Sequence, residues 1–391
     1  MLMCDDKCYL VPDYYPHFAC KMGACRSACC VGWPISVTME DYFRLLGVSC
    51  SAELRRRLDV AMHLCEHPTR EEYAQITPRF DGQCPLRLAD GRCAVHAELG
   101  EEVLSAVCRL YPRGVRTEDG PECSCANSCE AVLELLLHHP EPLAFHLIPL
   151  SIREPETPRR SCFFETLGRA QEIRLWLIAR IQDRRYPLPH RLLALGEALH
   201  AMDEALSARN NEQVDRLLRG AETLPVPPAA QAGEEQLRFG LGVASRMLAM
   251  IDRSSRSVRT YGEAALAYFG SDGEAFRRYG VAREHFEHLL PQWETWFEHM
   301  LVNHMFFIQF PFQDRPVSLR EEFLALCAVY ALLRFLCLGW TAQHDAASDA
   351  VDVAAAAFRL IDHTEFDRYA VPLLRDVDCT DAEHLSQLLC L

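Results

Sequence analysis

Positive charge is the first shortage in this sequence. Its 391 residues carry 40 Lys and Arg against 55 Asp and Glu, a net charge of −15 at pH 7. Such a surface cannot neutralise a phosphate backbone, which excludes a general nucleic-acid binder. It also lacks the basic clusters that hold a protein to an anionic membrane. No stretch of about 18 apolar residues reads as a membrane span, so no membrane partner is expected. Met1 to Asp13 shows no basic segment leading into an apolar one, so no secretory signal is read and a cytoplasmic location is expected. Alternating strand patterns and internal repeats are absent too, which leaves room for only a small sheet in the N-terminal part. Gly240-Leu-Gly242 is the one Gly-x-Gly, and it falls inside a helical pattern, not between a strand and a helix.

Cysteine is what the chain has in excess. Of 19, 14 lie between Cys4 and Cys129 and five are scattered over the rest. In a reducing compartment such density points to metal or redox chemistry before disulfides. One group is Cys20-x4-Cys25-x3-Cys29-Cys30, followed by Val31-Gly32-Trp33. The other is Cys84-x8-Cys93-x14-Cys108, with Cys129 after 20 more residues. These eight are the candidate metal ligands, because thiolates are soft donors suited to iron–sulfur clusters or zinc. The bland alternative, buried small hydrophobes, suits Cys327 and Cys337 in their apolar helix better than the N-terminal block. Adjacent Cys29 and Cys30 cannot easily chelate one ion together. No Cys-x2-Cys pair occurs, and structural zinc is usually held by two such pairs. The wide spacings therefore favour an iron–sulfur cluster, most simply a 4Fe-4S cluster, with zinc as the alternative and His96 as a weaker ligand candidate. The Cys-x3-Cys-x2-Cys signature of radical S-adenosylmethionine enzymes is missing: after Cys25 and Cys29, position 32 is Gly, and after Cys125 and Cys129, position 132 is Val.

The fold expected is mainly α. Residues 1–140 read as an irregular Cys-rich metal-binding domain, 141–160 as a Pro-rich linker, and 161–391 as an all-helical domain. Short helices are expected from a Thr38 cap to Gly47, over 101–110, and over 130–139 behind an Asn127/Ser128 cap. Longer ones are expected over 161–184, 188–208, 211–219, 235–252, 260–269, 283–310, 318–339 and 346–362. Leu224 to Ala230 reads as a proline loop. Ser318-Leu-Arg-Glu321 is a capping box. In 283–310, Phe286, Leu289, Leu290, Trp293, Phe297, Met300, His304 and Phe307 share a face that reads as core, with a kink at Pro291.

Several of these residues resemble the flagellin lysine-N-methylase family. Phe18-x-Cys20-x2-Gly23-Ala24-Cys25-x3-Cys29-Cys30-x-Gly32-Trp33 carries the resemblance first. Cys84-Pro85, Asp90-Gly91-Arg92-Cys93, Leu104-Ser105-x2-Cys108, Tyr111-Pro112-Arg113 and Ser128-Cys129-x-Glu130 continue it. Leu301-Val302-Asn303-His304-x-Phe306 through Phe310-Pro311-Phe312 extends it into the helical half. A wider set of putative zinc- or iron-chelating proteins shares a related Cys-rich pattern. Cys4, Cys8, Cys50, Cys65, Cys123 and Cys125 lie outside the pattern, and the proline expected after Cys129 is missing. The resemblance implies methyl transfer from S-adenosylmethionine to lysine ε-amines of flagellin or a flagellin-like protein. That transfer is a polar displacement that needs no electron, and with the radical signature missing a cysteine-ligated cluster is expected to be structural. A non-enzymatic iron- or zinc-binding module is the alternative. Tyr111, Tyr14, Tyr15 and Glu298 are catalytic candidates by type. Tyr111 leads, because Tyr-Pro-Arg follows a candidate ligand and Arg113 suits a carboxylate.

Overall fold

The computed structural model describes residues 7–26, 29–116, 120–152, 166–221, 224–228, 233–251, 255–270, 272–312, 317–364 and 366–391. Cys4, linker residues 153–160, the 161–165 start of the first long helix, Ala229–Ala230 and the 252 end of another helix lie outside them. In the first 150 residues run β1 (Lys7–Pro12), β2 (Ile35–Val37), α1 (Met39–Gly47), α2 (Ala52–Ala61), β3 (Met62–Leu64), β4 (Ala74–Ile76), α3 (Ala94–Leu99), α4 (Ala106–Leu110), β5 (Arg113–Arg116), β6 (Glu122–Cys125), α5 (Glu130–His138) and β7 (Phe145–Leu150). After them come α6 (Ala170–Ile181), α7 (Leu188–Ser207), α8 (Asn211–Leu218), α9 (Glu234–Met250), α10 (Arg256–Phe269), α11 (Ala275–Leu289), α12 (Trp293–Phe307), α13 (Leu319–Thr341), α14 (Ala347–His363), α15 (Phe366–Asp376) and α16 (Ala382–Leu388). The protein is mainly α, with an irregular cysteine-rich N-terminal part, as its sequence indicates.

Two cores organise it. The large one is built by α6 to α16 around α13, and it also takes in Tyr9, Val11 and Tyr14, Cys123 and Cys125 of β6, and the apolar face of α5. A four-stranded sheet, β5-β6-β1-β7, lies at its edge, with β1 parallel to β6 and antiparallel to β7. The small core holds Ile35, Val37, Leu45, Leu54, Leu58, Ile76, Leu86, Val95 and Leu104, beside the three-stranded sheet β2-β4-β3. Thus 30–108 has a core of its own, while the chain on either side of it packs with the helices.

Helix ends follow local chemistry. The Ser318 box is present: Glu321 N–H donates to Ser318 Oγ at 3.2 Å, and Ser318 N–H to Glu321 Oε2 at 2.7 Å. The expected 283–310 helix is two helices, because Leu290 before Pro291 is pushed out of the helical region to φ −131°, ψ 76°. The expected 101–110 helix is a 3-10 turn over Glu101–Val103 followed by α4. Side chains of α1 take the backbone groups a continuous helix would use: Arg44 donates to the Val103 and Leu104 carbonyls at 2.7 and 2.9 Å, and Asp41 accepts from Ala106 N–H at 2.7 Å. Helix α5 is capped by Cys129, not by Asn127 or Ser128. Helix α13 also corrects the sequence reading: it is long and apolar enough to cross a membrane, yet 94% of that stretch is buried in the protein.

Candidate metal centre

A cavity of about 510 Å³ opens against the small core. Seven of the eight thiols selected by spacing line it: Cys20, Cys25, Cys29, Cys30, Cys84, Cys93 and Cys108. Trp33, His96 and Tyr111 share the lining, and Ile35, Leu45, Ile76, Leu86, Val95 and Leu104 give it an apolar wall. Cys129 stands beside it, within electrostatic reach of Cys25, Cys29 and Tyr111. Cys123 and Cys125 are buried in the large core, and Cys8 is exposed on β1.

Three backbone devices gather these thiols. The 20–25 loop turns through Met22 (φ 52°) and Gly23 (φ 101°), and Met22 N–H donates to Cys20 Sγ at 3.4 Å. Its tip meets the Leu88–Arg92 turn so closely that a Cβ on Gly91 would lie 2.3 Å from the Gly23 carbonyl oxygen. Next, Cys84 N–H donates to the Cys30 carbonyl at 2.8 Å and Gly32 N–H to the Gly82 carbonyl at 2.8 Å, fastening the vicinal cysteines to the second group. Finally, Cys93 and Cys129 occupy the N-caps of α3 and α5, where free helical N–H groups favour a thiolate.

Burial sets the electrostatics. It pushes the Cys84 thiol up to about 12 and those of Cys25 and Cys108 up to about 11. It also raises Cys93 and Cys129, against the pull of helical N–H groups. Unliganded, these thiols stay protonated at neutral pH, so a metal must displace protons to bind. Cys30 goes the other way: a hydrogen bond from Cys29 lowers it, with help from Arg87 and Arg359.

The helical body supplies the rim. Arg359 of α14 lies over the Trp33 ring, 5.6 Å from its centre. Arg26 pairs with Asp352 of α14 at 3.2 Å, and Lys21 with Glu130 and Glu134 of α5 at 2.6 Å each. Sequence reasoning missed Asp352 and Arg359, although they stand seven residues apart, on one face of a helix whose intervening residues are apolar.

Tyr111 reaches the cavity and donates its hydroxyl to Ser128 Oγ at 3.1 Å. Burial holds its pKa well above the ordinary phenol value, so it keeps its proton. The other candidates by type serve elsewhere. Tyr14 donates to Asn303 Oδ1 at 2.7 Å, and Asn303 Nδ2 donates to the Cys125 carbonyl at 2.8 Å, tying α12 to β6. Tyr15 bonds to Cys123 Sγ at 3.2 Å. Glu298 is buried between Arg184 and Arg191 at 2.9 and 2.5 Å. Arg113 sits over the Phe18 ring, and His304 pairs with Asp362 at 3.3 Å.

Among the described residues, no three His, Cys, Asp or Glu side chains converge tightly enough to hold one metal ion. Tetrahedral zinc needs sulfurs about 2.3 Å from the metal, and so within about 4 Å of one another. The donor set is soft thiolate, which suits zinc and iron–sulfur clusters alike.

Fold and cavity together define a mainly helical protein with a cysteine-lined chamber on its smaller core. Residues 174–388, more than half the chain, match the family model for the FliB lysine N-methylase C-terminal domain. The chain belongs to the FliB lysine N-methylase family. It is 28% identical over 134 residues to a lysine-N-methylase of Salmonella choleraesuis (strain SC-B67), a match covering 34% of this chain and 33% of that protein. It is also 28% identical over 135 residues to the flagellar biosynthetic protein FliU of Salmonella muenchen, covering 34% of this chain and 79% of the relative. The match thus spans about a third of the lysine-N-methylase's length. No solved structure matches.

Proposed function

We propose that the protein transfers methyl groups from S-adenosylmethionine to lysine ε-amines of flagellin or a flagellin-like protein, and holds an iron–sulfur cluster on thiols of the cavity. The observation that carries this is the cavity itself. Seven family-patterned thiols line it, and the family-matching helices supply Arg359 at its edge. The ligands would come from Cys20, Cys25, Cys29, Cys30, Cys84, Cys93, Cys108 and Cys129. The methyl donor, when bound, supplies an electrophilic methyl on a sulfonium. The chain's own groups have the complementary task. A lysine amine has a pKa of about 10.4 in water and must lose its proton to attack. The apolar wall favours the neutral amine by desolvation. Tyr111, kept protonated, donates a hydrogen bond and does not act as base. Arg359 presents a guanidinium suited to a carboxylate.

The test is methyl transfer to purified flagellin by anaerobically prepared protein, read by mass spectrometry, beside calorimetric binding of S-adenosylmethionine. Lysine methylation with stoichiometric donor binding supports the proposal. Iron without donor binding supports the metal-binding module instead. Running the assay with and without dithionite separates a structural cluster from a redox one.

A further inference from the structure

We propose that the mouth of the cysteine-lined cavity is the docking surface for the lysine-bearing segment of the protein substrate, with Phe80, Met22 and Val107 as apolar contacts and Glu101 and Glu102 as a charged edge. This rests on the methyl-transfer reading above and adds where the substrate chain lies.

Exposure locates the mouth. Most of the cavity lining is buried or half-buried, but Met22, Pro34 and Val107 line it and are open to solvent as well. Phe80 stands beside them and is 97% exposed, more than any other large apolar side chain among the described residues. It sits at the tip of the Arg79–Gly82 turn. That turn is firmly bonded: Arg79 N–H donates to the Gln83 carbonyl and Gly82 N–H to the Arg79 carbonyl, both at 2.8 Å. It is also fastened to the cavity wall, because the Gly82 carbonyl accepts from Gly32 N–H, and Trp33 and Pro34 follow Gly32 into the lining. Turn tips favour polar residues and glycine, and a phenylalanine held in water there gives the fold nothing. One exposed apolar residue is ordinary, but four bordering a single opening mark a contact surface.

Charge names the partner. Glu101 and Glu102 form the 3-10 turn between α3, which lends His96 and Ala97 to the lining, and α4, which lends Val107 and Cys108. Both are exposed, and neither makes an ion pair among the described residues. The neighbouring cations are engaged: Arg44 with Asp41, Arg79 with Asp81 at 3.7 Å and Arg92 with Asp90 at 2.7 Å. Lys21 and Arg26 are held by α5 and α14. The uncompensated charge at the opening is therefore negative. Such an edge repels nucleic acid and anionic lipid and draws an ammonium. A lysine side chain is an apolar stem with a cation at its end, which matches apolar contacts beside glutamates.

The experiment measures methylation kinetics and calorimetric binding with purified flagellin monomer, for the wild type, Phe80→Ser and the Glu101→Gln/Glu102→Gln double variant. Thermal melts check that these exposed positions leave the fold intact. Phe80→Ser should raise KM and Kd for flagellin about tenfold, the scale of one aromatic anchor at an interface, while kcat at saturating flagellin holds. The double variant should raise KM several-fold at low salt, and its difference from wild type should fade above about 0.5 M salt. Leu147→Ser, exposed on β7 of the other sheet, is the control and should leave KM unmoved. A wild type that methylates flagellin, with wild-type KM and Kd in both variants, overturns the docking surface and leaves the activity standing. Flagellin binding that needs Phe80 but yields no methylation overturns the activity and keeps the surface. Self-association lost in Phe80→Ser, with flagellin binding unchanged, gives the face to a second copy of the chain and overturns the proposal. A wild type that neither binds nor methylates flagellin overturns both.

Discussion

A methyl group on residue 91 would sit 2.3 Å from the Gly23 carbonyl oxygen, on a backbone with φ 88°. Gly91→Ala should therefore cost at least about 2 kcal/mol, part of it from the left-handed backbone and the rest from the overlap. Gly47→Ala, at the open end of α1 with nothing within 4 Å, should be neutral or slightly stabilising, by about 0.5 kcal/mol. Chemical denaturation of the two variants checks the contrast; equal effects would sink the close-packing account. Glu298 makes a second case. Replacing it by Gln leaves the buried Arg191 only the partly exposed Glu294, 3.4 Å away, as counter-charge and should cost roughly 3 kcal/mol, with metal content unchanged. The thiols were legible in the sequence because loop cysteines at set spacings have few other uses. Arg359 and Asp352 were not, since a lone charge in an alanine-rich helix reads as solvated surface. Tyr14 and Asn303 look chemical by residue type, but they only close a buried polar network.

Helix boundaries were readable where a local cap decides them, as at Thr38 and Ser318; Pro291, read as a kink within one helix, is a break between two. Boundaries were unreadable where distant side chains compete, as Arg44 and Asp41 do for the backbone ahead of α4. The same long-range logic governs the 20–26 loop, whose ion pairs reach two helices remote in sequence. Arg26 is well exposed, so its pair with Asp352 is worth no more than about 1 kcal/mol. Its effect should be local. Asp352→Asn should leave the melting temperature within a few degrees of wild type while speeding tryptic cleavage after Lys21 and Arg26. Unchanged cleavage would show that α14 does not hold the loop.

The two cores should also part under stress. If metal contributes to folding 30–108, chelation or Cys108→Ser should unfold that segment while α6–α16 keep most of the helical circular dichroism. Equal protease resistance of wild type and Cys108→Ser would contradict this. The large core has its own pH limit. Burial lowers the pKa of His299, whose ring nitrogens face the Leu136 and Glu141 carbonyls at 2.9 and 2.8 Å. The folded state therefore prefers the neutral ring. That contribution is complete above pH 6.5, the ordinary histidine value, and fades as pH falls towards the lowered one. Denaturation midpoints at pH 7.5 and 5.5 should differ less in His299→Gln than in wild type.

Helix α13 carries a consequence for how the chain is made. Its neighbours α7, α9, α10 and α11 precede it, while α14 and α15 follow. When this oily segment leaves the ribosome, most of its cradle is already synthesised, but the wall formed by α14 and α15 is not. For that interval the cell holds a nascent protein displaying what looks like a membrane anchor, open to chaperones and to the export machinery. A nonsense mutation just after Thr341 would make the interval permanent, and the product should aggregate or be routed to the membrane.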